Sequence, residues 1–256
     1  VPPETWARDG EGRALDAKAQ SMDGNVWDDH KTVWSPEAPD AVFEQAGALR
    51  ANPLRRIRER CPIAIVLNGG EYALGVLGFT RPVWEKDPRI LKAKGERPWF
   101  DYIWERKAHQ EMIISEAVRK AVPDRVLYSY YTSGGGTHRN RIRDWKDWCW
   151  AYEAMKPVSD LPSNEGYYRS FNSGWTGPDD LLTLTLNATA REIAHGQPLS
   201  YNWLCGGWTR DNLKEDSGLG DLTRYTGFLK CYYTAGMIGG NAGYYAYPKG
   251  GFGVPF

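Results

Sequence analysis

Five times over, a stretch of helical periodicity leads into an apolar stretch of strand length. Helices are expected over 35–61, 97–124, 140–155, 177–196 and 220–236, and strands over 62–67, 125–136, 156–160, 198–208 and 237–248. Strands separated by helices of this length must pair in parallel, because a tight turn can join only antiparallel neighbours. A doubly wound sheet and a (β/α)8 barrel both satisfy that rule. No GxGxxG or GxxxxGK[ST] opens a helix, and the glycines at 134–136 run into Thr137, His138 and Arg139 rather than a phosphate-binding lysine. The polar and aromatic residues suited to chemistry fall just after the strands, where barrels build their sites. The expected fold is therefore α/β, a parallel (β/α)8 barrel with five readable strands and the first three absent or unreadable. Residues 1–40 read as irregular loop, and residues 1–256 as one catalytic-type domain, the later part of a larger barrel.

Local signals set the helix ends. Phe100, Ile103, Trp104, Ala108, Met112, Ile113 and Val118 keep near-helical spacing, and Pro123 is expected to stop that helix. Asp40 is expected to cap the first helix. Pro178 suits the first turn of the fourth helix, Asp179 and Asp180 its positive end, and Gly196 its stop. Gly236 is expected to close the fifth.

Charge and cysteine narrow the function classes. Lys plus Arg and Asp plus Glu both number 32, so no overall field draws the chain to nucleic acid or an anionic membrane. No apolar run is long enough to span a bilayer. Cys61, Cys149, Cys205 and Cys231 stand singly, without a CxxC pair, and four buried free thiols are expected ahead of the alternative of two disulfides. His30, His109, His138 and His195 form no HxH or HExxH pair, so neither a metal nor another cofactor is expected.

The aromatic balance points to a ligand class. There are 12 Trp and 15 Tyr but only 7 Phe. Trp and Tyr join a flat apolar face to a polar edge, which matches the apolar C–H faces and polar rims of sugar rings. Trp99, Trp104, Trp145, Trp148 and Trp150 lie in helical sequence and are expected to pack. Trp175, Trp203, Trp208, Tyr130 and Tyr131 lie at strand ends or in loops and are candidate sugar platforms.

Glycosidic cleavage needs two carboxyl groups, about 5 Å apart for retention or roughly 6.5–9.5 Å apart for inversion. The stretch "CPIAIVLNGGEYALG", residues 61–75, aims Glu71 off an apolar strand behind Gly69 and Gly70. Glu71 is the first candidate acid/base, with Asn68 and Tyr72 placed to hold substrate or orient it. "PVSDLPSNEGYY" supplies the partner: Asp160, expected to end its strand directly, or Glu165 five residues on. Asp211 and the "WDDH" at 27–30 are weaker acids for that role. Asn202, Asn241 and Tyr244 follow or end later strands as further binding candidates. His138 and Arg139 suit a sugar hydroxyl or an anionic group. With Tyr131, His138 could instead run β-elimination on a uronic or sulfated glycan. No GxSxG supports a serine nucleophile.

"IVLNGGEYALG", "YNWLCGGW" and "GGNAGYYAYP" resemble the fourth-, seventh- and eighth-strand segments of (β/α)8-barrel glycoside hydrolases of the broad β-galactosidase and agarase kind. The resemblance covers roughly 61–248 and is one of layout. It departs where Gly69 and Gly70 separate Asn68 from Glu71, and where "LSYNWLCGGW" holds no acid. A fourth-plus-sixth-strand pair, as in α-galactosidase-like enzymes, fits Glu71 and Asp160 better. The resemblance implies a glycosidase acting on a polysaccharide or oligosaccharide in a secreted or periplasmic setting. Its expected partners are carbohydrate, and other parts of a larger chain or further copies of this one. A lyase and a non-catalytic carbohydrate-binding domain are the alternatives.

Overall fold

The computed structural model describes residues 3–15, 19–20, 26–27, 34–69, 77–123, 126–131, 152–163, 165–167, 193–194, 196, 200–205, 227, 230–231, 233–234 and 236–246. The chain divides into two compact units. The first holds Val1–Tyr128 and Ala154–Ser159, the second Ser129–Glu153 and Asp160–Phe256.

The first unit is built on two long helices, α1 (Asp40–Arg58) and α4 (Trp99–Ala121). Phe43, Gly47 and Ala51 recur every fourth residue along one face of α1. Phe43 packs with Ile114, and Ala51 with Ala121 and Val122. The contacts climb together on both helices, so the two run in the same direction. Gly47 sets their separation: a Cβ there would lie 2.8 Å from the Ala117 Cβ and 3.3 Å from the Ile114 Cα. Gly47→Val is therefore expected to lose about 1–3 kcal/mol of stability through overpacking. Adding Ala117→Gly should recover part of that loss in thermal denaturation. An unchanged melting temperature for Gly47→Val would show that the helices do not meet there.

The other contacts of α4 hold the segment leading into α1. Tyr102, Arg106 and Gln110 recur every four residues on one stripe of the helix. The Tyr102 hydroxyl donates to Glu37 Oε1 (2.7 Å), and Arg106 Nε and Gln110 Nε2 donate to the Pro36 carbonyl at 2.8 and 3.1 Å. Burial, and then the bond to Glu37, push the Tyr102 phenol far above its ordinary range. One residue from that stripe, His109 Nε2 lies 2.7 Å from Asp40 Oδ1. Asp40 is thus the first residue of α1 rather than its cap. Pro39 takes the cap position without a side-chain hydrogen bond.

Two further helices, α2 (Leu77–Trp84) and α3 (Pro88–Lys94), precede α4. Between them Asp87 caps α3 and is wholly buried, next to a cluster of Ala7, Val83, Trp84, Ile90, Tyr102 and Ile103. Strand β3 (Ile65–Gly69) follows α1, and strand β4 (Leu127–Tyr131) follows α4. The Leu127 N–H donates to the Ala64 carbonyl, just ahead of β3. A small antiparallel pair, β1 (Ala19–Gln20) and β2 (Val26–Trp27), lies near the N-terminus.

In the second unit, β4 pairs in parallel with β5 (Leu161–Ser163), Ser129 opposite Leu161. A separate parallel sheet holds β6 (Glu165–Tyr167), β7 (Ser200–Cys205) and β8 (Asn241–Ala246), in that order. Ile193 and Ala194 are helical, and Gly196 turns the chain at φ 72°, as a helix-stopping glycine should. The expected helix over 220–236 continues to Ile238, and Gly240 at φ 100° ends it in place of Gly236. Short helix α5 (Tyr152–Met155) is the described end of the helix expected over 140–155.

The expected (β/α)8 barrel is not what the described residues form. Their strands fall into separate sheets, one of them antiparallel, and no closed ring of parallel strands is present among them. One residue, Asn164, separates β5 from β6, and these consecutive strands enter different sheets. A barrel needs a crossover helix at each such step. The alternation of period in the sequence marks strands and helices but does not say which strands share a sheet. Two smaller expectations also fail. The strand expected over 156–160 lies at 161–163, and Cys61 and Cys231 are free but exposed rather than buried. No helix among the described residues is long and apolar enough to cross a membrane.

Candidate functional site

The second unit's sheet brings candidate residues together through its register. Glu165 on β6 is opposite Trp203 on β7, and Trp203 is opposite Tyr245 on β8. Neighbouring strands lie about 4.8 Å apart, so this row sets an acid, an indole residue and a phenol residue side by side over about 10 Å. Successive residues along a strand belong to opposite faces of its sheet. Tyr167 and Tyr201, two residues from the row on β6 and β7, share its face. Gly243 is opposite Tyr201. Asn202 and Tyr244 are also paired, but one residue further along and so on the other face.

Tyr245 is the residue that sequence reasoning missed. It lies inside the aromatic run "AGYYAYP", where period-2 alternation alone cannot tell which tyrosine joins Trp203. A register irregularity between Ser200 and Tyr201 shifts the pairing by one residue and decides it.

The remaining candidates are scattered. Asp160 stands immediately before β5, at the start of that strand rather than at its tip, and is half-buried. Glu165 likewise opens β6. Tyr130 and Tyr131 end β4 as expected, Asn68 lies within β3, and Asn241 opens β8 with 2 % exposure. Glu71, Tyr72, His138, Arg139, Trp175 and Trp208 lie outside the described residues, as do Asp211 and the acids at 28–29. Among the described residues no group of three or more His, Cys, Asp or Glu is placed to hold a metal ion.

Compared with protein-family models and with curated proteins, the chain matches none.

Proposed function

We propose that the chain is a glycoside hydrolase acting on a polysaccharide or oligosaccharide, with the β6–β7–β8 sheet as its sugar platform. The observation that carries this reading is the register row of Glu165, Trp203 and Tyr245. An acidic residue in register with a tryptophan and a tyrosine is a set of residue types that suits a sugar ring, whose apolar face can stack on an aromatic residue while its hydroxyls and glycosidic oxygen need an acid. Glu71 is the general acid/base of this proposal and Glu165 its partner, with Asp160 the alternative partner. The test is release of reducing ends from a panel of neutral and acidic glycans. Trp203→Ala should weaken glycan binding about three- to tenfold, as expected for the loss of one stacking contact. Equal binding by wild type and variant would remove the platform.

A second reading is a carbohydrate-binding domain without turnover. Asp160 precedes its strand, and no two candidate carboxylates share a register row among the described residues, which favours it. Full glycan affinity with no product from any glycan would select it.

A further inference from the structure

We propose that the exposed C-terminal half of α1 is a docking strip for a uronate-bearing polysaccharide, an inference that rests on the carbohydrate reading above and names the substrate class. Residues 50–60 hold Arg50, Arg55, Arg56, Arg58 and Arg60 against one acid, Glu59, in a chain whose 32 basic and 32 acidic residues cancel only when this cluster is included. All five arginines are exposed.

The negative end of the helix accounts for cations in its last turn. It does not account for what lies between them. Leu49, Pro53 and Ile57 recur every fourth residue, forming one stripe. Leu49 is 66 % exposed and Ile57 46 %. At 100° per residue, Arg56 flanks this stripe on one side and Arg50 on the other, and Arg60 follows in the turn just past the helix end, its N–H on the Ile57 carbonyl. Pro53 has no N–H, so the Leu49 carbonyl loses its helical donor on this solvent-facing stripe.

Three of the five cations, Arg50, Arg55 and Arg58, have partners nearby. Arg50 lies 3.9 Å from the buried carboxylate of Glu111, and Arg55 donates to Asn52 Oδ1. Arg56 and Arg60 have no ion pair among the described residues and project from the surface. The strip is about 15 Å long, at 1.5 Å per residue. A guanidinium fork matches a planar carboxylate with two parallel hydrogen bonds, and the apolar residues between the arginines suit the C–H faces of sugar rings. Duplex nucleic acid is disfavoured because the neutral chain supplies no long-range field. A lipid surface is disfavoured because the stripe has only three apolar residues and no aromatic anchor.

Affinity electrophoresis through gels containing polygalacturonate, with neutral dextran gels as control, tests the strip. Both substituted arginines are exposed and away from the Phe43, Gly47 and Ala51 face, so Arg56→Gln with Arg60→Gln should leave helicity unchanged by circular dichroism. The wild type should be retarded by polygalacturonate, and the double variant should bind it at least tenfold more weakly. Rising salt should narrow that difference. Equal retardation of the two proteins overturns the strip, as does stronger binding to duplex DNA or phosphatidylserine vesicles than to polygalacturonate. Binding to neutral glycan through Trp203 with no response to polygalacturonate overturns the strip alone. Binding to no glycan at all overturns the strip and the carbohydrate reading together.

Discussion

Glu165→Gln is expected to lower glycan hydrolysis by about 100- to 10,000-fold, the usual range for loss of a positioned acid or base. The substitution keeps the size of the side chain and removes its charge, so glycan retention should stay near that of the wild type. Loss of turnover without loss of binding would assign the residue to the chemistry rather than to holding the sugar. The matched variants Glu71→Gln and Asp160→Asn separate the alternatives. Full activity in Glu165→Gln, with activity lost in the other two, would move the partner role to Asp160. Full activity in all three would end the carboxylate mechanism.

The second large effect concerns stability. Asp87→Ala is expected to destabilise the first unit by about 2–4 kcal/mol, because it leaves two backbone N–H groups and the half-buried Arg89 guanidinium without their acceptor. Asp87 Oδ2 accepts from the Arg8 N–H (2.8 Å) and from Arg89 Nη2 (2.7 Å). Its Oδ1 accepts from the Arg89 N–H (2.9 Å) and Nε (3.1 Å). Arg89 also donates to the Trp6 carbonyl at 2.9 Å, so one carboxylate ties residues 6–8 to the start of α3. Burial by itself would raise the Asp87 pKa. The side-chain hydrogen bonds from Arg89, the two backbone N–H bonds and the guanidinium charge outweigh it and hold the carboxyl below its usual range. A lowered folded pKa means that this stabilisation is complete above the unfolded carboxyl value, about 3.9, and fades as pH falls through the folded one. Urea midpoints of wild type and Asp87→Asn should therefore differ by a constant amount near neutrality and converge only below about pH 4. A gap that stayed constant into acid, or was absent at neutral pH, would remove Asp87 from this role.

Much of the local structure was legible in the residues. The apolar spacing from Phe100 to Val118 marks α4, which ends at Ala121, two residues before the expected stop at Pro123. The apolar and aromatic stretches that contain β3, β4, β7 and β8 signal strands because β-branched and aromatic side chains suit a pleated surface. Helices α2 and α3 went unread, since each is short and Pro82 interrupts the pattern of the first. Trp104 packs as expected of a helical tryptophan, with 6 % exposure, whereas Trp99 is half-buried beneath Arg81 and Lys94. Asp160 was misplaced because "KPVSD" reads as a strand with a terminal acid. Pro157 and Val158 instead lie in a turn closed by N–H bonds from Val158 and Ser159 to the Met155 carbonyl.

The residues alone determined where the chain changes period, where charge gathers on α1, and that tryptophan and tyrosine outnumber phenylalanine. These are properties of neighbours in the chain, and helical and strand periods are set within a few residues. Only the tertiary structure decided which strands share a sheet, and that Glu165, Trp203 and Tyr245 form one row. A single-residue slip in strand register moves every side chain to the opposite face, and no local signal in the chain specifies that slip. The burial of Asp87 was decided the same way, by a segment almost eighty residues away whose backbone N–H at Arg8 completes its hydrogen bonding.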